Sequence, residues 1–375
     1  MLTVAAEERI RLRYREHLEP VDDAAELLQR LVAEEAPLLA GNDALAAVGR
    51  LHAQVAGFGP LEPLCRDASV SDVLVNGPGE VWVERYGVLS RSGVVVSLDD
   101  IAVVIERVLG PLGLRADRAN PIVDGRLPDG SRISVVLPPL AVDGPVVSIR
   151  RFSARAFELS DFTTPEVAHL LDGYVTARAN LVIFGGTGSG KTSLLNALSR
   201  HIPAGQRIVT IEDAAELRLR PDNIVRLEAR PANGEGAGRV SIRDLIRAAL
   251  RMRPDRIVVG EVRGPEALDM VWAMTTGHDG SLSTVHANDA LDAMARIETF
   301  ALLADASLPL AAIRFQVRSA VDVLIGIRRS DDGARSIVGV YEVDRASDEL
   351  RVGEIALDGR VVGAPQRAGR EGFGR

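Results

Sequence analysis

Nine residues, Gly185-Gly186-Thr187-Gly188-Ser189-Gly190-Lys191-Thr192-Ser193, combine the residue types and spacing that grip phosphate. The apolar run Leu181-Val182-Ile183-Phe184 precedes them, and Leu194-Leu195-Asn196-Ala197-Leu198 follows at helical spacing. Strand, glycine-rich loop and helix, with G-x-x-x-x-G-K-[ST] inside, is the P-loop arrangement. Glycines let backbone N–H groups turn inward as an anion nest, and the helix N-terminus adds positive potential. Lys191 supplies a compact charge for the outer phosphates, and Thr192 can ligate Mg²⁺. Lys191 is also the sole lysine among 44 basic residues, which leaves 43 arginines. A forked guanidinium does not replace a point charge in a close-fitting nest. The chemistry expected here is the binding of a nucleotide through its phosphates.

Acids follow at two strand ends. Arg207–Ile211 reads as a strand that delivers Glu212-Asp213, with Glu216 shortly after. Carboxylates there hold Mg²⁺ or orient water. Equally, Asp213 could cap a following helix, with Glu216 completing a capping box. Ile257-Val258-Val259 closes on Gly260-Glu261, a Walker B-like strand whose carboxylate polarises the attacking water, although Gly stands where an Asp is usual. A plain surface glutamate at a strand end is the alternative. His286 ends the strand Ser281–Val285, where an imidazole can report on the γ-phosphate or simply make a structural hydrogen bond. His278 precedes that strand, and His17, His52, His169 and His201 take structural readings. No cluster has zinc spacing.

The elements that must position these groups fall into five stretches. Residues 1–56 read as helices, from Ala24, Leu27, Leu28, Leu31 and Val32 and from Leu45, Val48, Leu51 and Val55. Residues 57–150 turn to short strands and one helix, a small α+β domain. Its pieces are Ser71–Gly77, Glu80–Arg85, Val94–Val96, a helix over Asp99–Leu109, Arg132–Leu137 and Val146–Arg150. Residues 151–175, with Phe152, Phe157, Phe162 and Pro165, read as a linker and leading helix. Residues 176–345 alternate strands and helices, the mark of a mostly parallel α/β sheet. Residues 346–375 hold a hairpin over Leu350–Leu357 and a Gly/Arg-rich tail expected to be mobile.

Composition narrows the function classes. At 375 residues, 46% apolar and 26% charged, the chain suits a globular protein of two or more domains. No apolar run is long enough to span a bilayer, and Met1 to Glu19 is too charged for a signal peptide. The single Cys65 excludes an internal disulfide and a tetracysteine zinc site, and suits a reducing cytoplasm. A net charge of −8 argues against bulk affinity for nucleic acid or anionic lipid. Arg243, Arg247 and Arg251 recur every four residues, first as a polar helix face and second as an interface stripe.

Taken together, the ordered boxes resemble the secretion ATPases of the type II/type IV superfamily, nearest the CpaF-type tight-adherence (Flp) pilus assembly and conjugal-transfer-associated ATPases. The resemblance rests on Pro60–Leu64, Val73–Gly77, Asp129–Arg132, Pro138–Pro145, the P-loop, Ile211–Asp213, Leu250–Arg256, Gly260–Gly264, Thr276–Gly280 and Thr284–Asn288. It covers about residues 57–343, and the Gly-Glu ending is itself typical of that superfamily. The resemblance implies a small PAS-like α+β domain before a RecA-like P-loop domain, a homohexameric ring, and nucleotide between the two domains. It implies that Lys191 and Thr192 bind phosphate and Mg²⁺, Glu261 is the catalytic base, and Glu212 with Asp213 forms an acidic box. It further implies that Glu212 assists the metal, that His286 senses the γ-phosphate, and that Arg132 and Arg150, with Arg126 a third, reach it as arginine fingers. The implied partner is an inner-membrane platform protein, with the chain peripheral at the cytoplasmic face of the membrane and no direct nucleic-acid binding. A DNA-transfer ATPase and a nucleotide-gated scaffold with little turnover are the two rival readings.

Overall fold

The computed structural model describes residues 2–16, 24–37, 39, 41–55, 57–151, 157–230, 238–305, 307–330, 332–345 and 350–366. The chain divides into two compact units, Met1–Ala154 and Arg155–Arg375, and each is described by itself. Phe152, His17, the side chains of His52 and Val55, and the Gly/Arg-rich end from 367 lie outside the described residues.

The first unit begins with three helices, α1 (Val4–Glu16), α2 (Ala24–Glu35) and α3 (Asn42–Val55). Ile10, Leu27, Leu28, Leu31, Val32 and Leu51 form their shared core. Leu45, on the apolar repeat of α3, is instead 63% exposed. After a short α4 (Glu62–Arg66) come β1 (Val70–Asn76), β2 (Gly79–Arg85), β3 (Val88–Val96), α5 (Leu98–Leu109), β4 (Ile122–Arg126), β5 (Arg132–Val136) and β6 (Val146–Arg150). The strands make one antiparallel sheet in the order β3-β2-β1-β6-β5-β4. Period-two patterning sends Val73, Val75, Val81, Val83, Ile133, Val135, Val147 and Ile149 to one face, where Ile101, Val104, Ile105 and Leu109 of α5 cover them. Ser97 and Asp100 start α5 with a reciprocal capping box.

The second unit holds α6 (Pro165–Thr176), β7 (Leu181–Gly185), α7 (Lys191–Ser199), β8 (Ile208–Glu212), β9 (Ile224–Glu228), α8 (Ile242–Ala249), β10 (Arg256–Val262) and α9 (Glu266–Thr275). It continues with β11 (Leu282–His286), α10 (Ala290–Ala304), α11 (Leu310–Ala320), β12 (Val323–Arg329), β13 (Arg335–Asp344), β14 (Arg351–Leu357) and β15 (Arg360–Val361). Its sheet runs β15-β14-β13-β12-β7-β11-β10-β8-β9. From β12 to β9 the pairing is parallel, and β13, β14 and β15 add an antiparallel edge. Both faces of the parallel part are apolar, so helices cover both: α8 to α11 on one side, and α6 with α7 on the other. The stretch 350–357, expected to be a hairpin, is instead the single strand β14, and the tight turn follows it before β15.

The arginines of α8 have a different partner from solvent. Arg243 Nε and Arg247 Nε donate to the two oxygens of Asp269 on α9, at 2.6 and 2.8 Å, and Asp269 is only 3% exposed. One buried carboxylate thus clamps two helices, and its loss removes the acceptor that two partly exposed guanidiniums share. Asp269→Ala is expected to lower unfolding stability by roughly 3 kcal/mol in urea titrations; a change inside experimental error would make this pair a surface ornament.

Candidate functional site

Parallel register brings the chemistry to one edge. In the ladder, His286 pairs with Gly185, and Val259 with Ile211. The ends of β7, β11, β10 and β8 therefore stand level, and Gly185, His286, Gly260-Glu261 and Glu212 emerge side by side at the carboxyl edge of the sheet. Ligands of open α/β sheets bind along this edge.

The loop after β7 has the backbone its glycines allow. Gly188 has φ 70° and Gly190 φ 100°, values open to glycine at little cost. Gly190 is the N-cap of α7, whose first amides lack intrahelical acceptors. Gly186, Thr187 and Gly188 are exposed, whereas Ser189 is buried and its Oγ has no hydrogen-bond partner among the described residues. Lys191 folds back into the loop and donates from Nζ to the carbonyls of Gly185 and Gly186 at 3.1 and 3.0 Å. Burial pulls its ammonium below the usual lysine range, while Glu261 counteracts. Thr192 and Ser193 follow, both half-buried. An orphaned buried hydroxyl and a left-handed glycine pair before a helix N-terminus fit a phosphate cradle.

Glu212 and Gly260 explain each other. A Cβ on residue 260 would lie 2.8 Å from Glu212 Cγ, so the Asp usual at that position has no room here. Glu212 Oε1 accepts from the amides of Glu216 and Leu217 at 2.9 and 3.0 Å, and Oε2 accepts from Leu217 at 3.2 Å. Burial raises its pKa to about 7, although these amides oppose the rise. The chain after Asp213 is not helical. No helix cap therefore forms there, and Glu212 rather than Asp213 gathers the amides. Asp213 is exposed.

Glu261 owes its aim to a bulge. Between Val259 and Val262, β10 carries one residue more than β11, which spans only Ser283 to Val285. Thr284 Oγ1 donates to the Gly260 carbonyl at 2.8 Å and pins that irregularity. Bulges redirect a side chain at the end of a ladder. The Glu261 carboxylate, 24% exposed, accepts from Arg263 Nη2 at 2.6 Å, and Arg263 is held above its usual range by that bond.

His286 joins this edge and His278 does not. His278 precedes β11, with Nδ1 3.3 Å from the Ala273 carbonyl, and so sits at the opposite end of the strands. His201 Nδ1 lies 2.8 Å from Asp172 Oδ1, a structural contact.

Arg126, Arg132 and Arg150 belong to the first unit and are brought together there. Arg132 pairs with Arg126 on β4 and with Arg150 on β6, and Arg150 pairs in turn with Asp72. Alternation keeps this row off the apolar face.

Mg²⁺ suits this donor set. No group of three or more His, Cys, Asp or Glu side chains able to hold a metal occurs among the described residues. Thr192 and the buried Glu212 carboxylate would hold it, and a cation would offset the desolvation of Glu212.

Sequence reading missed the bulge, Arg263 and two arginines of the β12–β13 hairpin, Arg329 and Arg335. The bulge and the hairpin arginines depend on a neighbouring strand or a distant loop, whereas Arg263 lies only two residues beyond the Glu261 it holds.

Known proteins resemble this chain. A putative conjugal transfer protein of Mycobacterium tuberculosis is 40% identical over 327 residues, covering 84% of this chain and 92% of its own. The conjugal transfer protein TrbB of Rhizobium radiobacter is 37% identical over 280 residues, covering 72% and 82%. The solved ATPase DotB of Legionella pneumophila superposes with a TM-score of 0.57 at 19% identity, covering 76% of this chain and 80% of its own, a likeness of fold. The fold is a RecA-like P-loop domain preceded by a small α+β domain. Residues 54–339 match the family described as Type II/IV secretion system protein, and the chain belongs to that family.

Proposed function

We propose that the chain is a homohexameric ATPase motor whose ATP hydrolysis powers transfer through an inner-membrane platform, in pilus assembly or secretion. The observation that carries this reading is the level alignment of Lys191, Glu212, Glu261 and His286 at one sheet edge. A phosphate cradle alone would suit a scaffold. A cradle beside an aimed carboxylate suits hydrolysis, because little covalent chemistry is needed beyond positioning water and stabilising charge.

In this reading the loop amides and Lys191 hold the phosphates, and the residues Gly185 to Ser193 form the cradle. Mg²⁺, when bound through Thr192 and Glu212, neutralises developing negative charge on the phosphates. Glu261 orients the attacking water and accepts its proton. A carboxylate held by a guanidinium is a weaker base, so the Glu261–Arg263 bond loosens during turnover. Asp213 keeps the edge acidic, His286 senses the γ-phosphate, and Arg132 with Arg150 stabilises transferred charge.

The relatives named for conjugal transfer favour a transfer apparatus as the setting, the closest rival to a pilus. Net charge of −8 supports handling a protein platform rather than DNA itself. No helix among the described residues is long and apolar enough to cross a membrane, so attachment at the inner face would run through the partner.

Three experiments bear on this. Glu261→Gln should bind ATP, lose steady-state phosphate release by on the order of 10³-fold, and appear as hexamers in native mass spectrometry with ATP; retained turnover sinks the base, and monomers alone sink the ring. Lys191→Arg should abolish hydrolysis although it preserves charge, whereas a near-wild-type rate would show that the nest accepts a guanidinium. Replacing Arg132 and Arg150 together with Ala should lower kcat by about 10³-fold with little change in ATP affinity, and an unaltered kcat would remove both from the reaction.

A further inference from the structure

Arg263 stands at the carboxyl edge of the sheet with its main chain pinned and its side chain largely open. Its own N–H and that of Gly264 both donate to Glu266 Oε1, at 2.7 and 2.8 Å. Glu266 opens α9, so the turn that carries Arg263 is held between β10 and that helix. The side chain is 66% exposed, and its Nη2 donates to Glu261 Oε2 at 2.6 Å. A guanidinium has five N–H donors in a planar fork. The others make no hydrogen bond among the described residues.

The head of Arg263 is also well placed. Val262 is buried in the core under α8 to α11, and the side chains of Glu261 and Arg263 on either side of it meet at the edge. Beyond its burial, the ammonium of Lys191 feels Glu261 and Arg263 with opposite signs, so both heads lie within electrostatic reach of the phosphate loop. The outermost phosphate of a nucleotide held there meets a carboxylate that repels it and a guanidinium that attracts it. Phosphate offers a guanidinium two parallel N–H···O bonds, whereas Glu261 holds this one by a single bond. The exchange gains a bond for the arginine and uncovers Oε2 of the carboxylate that must face water.

We propose that Arg263 is a further catalytic residue, which binds the γ-phosphate of ATP with its open N–H groups and thereby releases Glu261 to take the attacking water. This deepens the ATPase reading and rests on it. After hydrolysis ADP has no γ-oxygen to offer, and the guanidinium returns to Glu261. The base is thus covered whenever the γ-phosphate is absent, which ties activation of water to the presence of ATP. A P-loop lysine also serves the β-phosphate that ADP retains. Arg263 reads only the phosphate that is lost.

The test is calorimetric titration of the full chain, in Mg²⁺, with ADP and with the non-hydrolysable ATP analogue AMP-PNP. Arg263→Ala should weaken AMP-PNP by roughly tenfold and leave ADP unchanged, and Arg263→Lys should recover part of the loss. Steady-state phosphate release at saturating ATP should fall by about 10²-fold in Arg263→Ala. Arg263→Gln keeps a donor for Glu261 without the charge; it should show the same selective loss, and it carries the test if Arg263→Ala does not fold. Equal weakening of both nucleotides would make Arg263 a brace for the site, and faster phosphate release would make it a restraint on the base alone; either overturns the proposal. Failure of the wild type to bind either nucleotide would overturn the ATP reading itself; binding of both by the wild type, with indifferent Arg263 variants, would overturn only this step.

Discussion

The main-chain ladder between β7, β11, β10 and β8 is the constraint on which the rest depends. Parallel pairing leaves no freedom in relative height, so His286 opposite Gly185 and Val259 opposite Ile211 decide which side chains meet. A slip of one residue would turn every buried side chain to the other face. Because both faces of these strands are packed, with Val209, Ile211, Val258 and Leu282 almost wholly buried, such a slip has no favourable alternative. The hydrophobic core thereby fixes the electrostatics of the edge.

Within that frame, exchange of volume between neighbouring strands decides where charge stands. Glu212 occupies the space that a side chain at Gly260 would claim, and the extra residue in β10 then throws Glu261 forward. One carboxylate is buried and raised toward neutrality, and the other is half open and paired with Arg263. Two acids a strand apart thus acquire different characters from packing alone, which is how similar groups come to take different roles.

Much of this was legible in the residues, and the pattern of misses has a physical cause. The P-loop, the strand ends at Glu212 and Glu261, and most helices follow from signals within a few residues, such as apolar period, glycine spacing and caps. The strands β12 and β13 were not recognised, since Gly326 and Gly339 interrupt them. Those glycines are cross-strand partners that leave room for the rings of Phe184 and Tyr341, a purpose visible only across the sheet. Arg243 and Arg247 read as a polar face because their acceptor, Asp269, lies on the following helix, α9, beyond β10. The alternation that marks β5 and β6 could not announce that Arg126, Arg132 and Arg150 would line up, since that depends on register.

The burial of Lys191 has a consequence for the chemistry of the whole surface. With every other basic side chain an arginine, the exterior offers no lysine amine to acylating, glycating or amine-crosslinking reagents. The one ammonium is 8% exposed and shifted toward its nucleophilic form by desolvation. Among side chains, an amine reagent would therefore read the state of the phosphate loop alone, with the chain's α-amino group as its one other target.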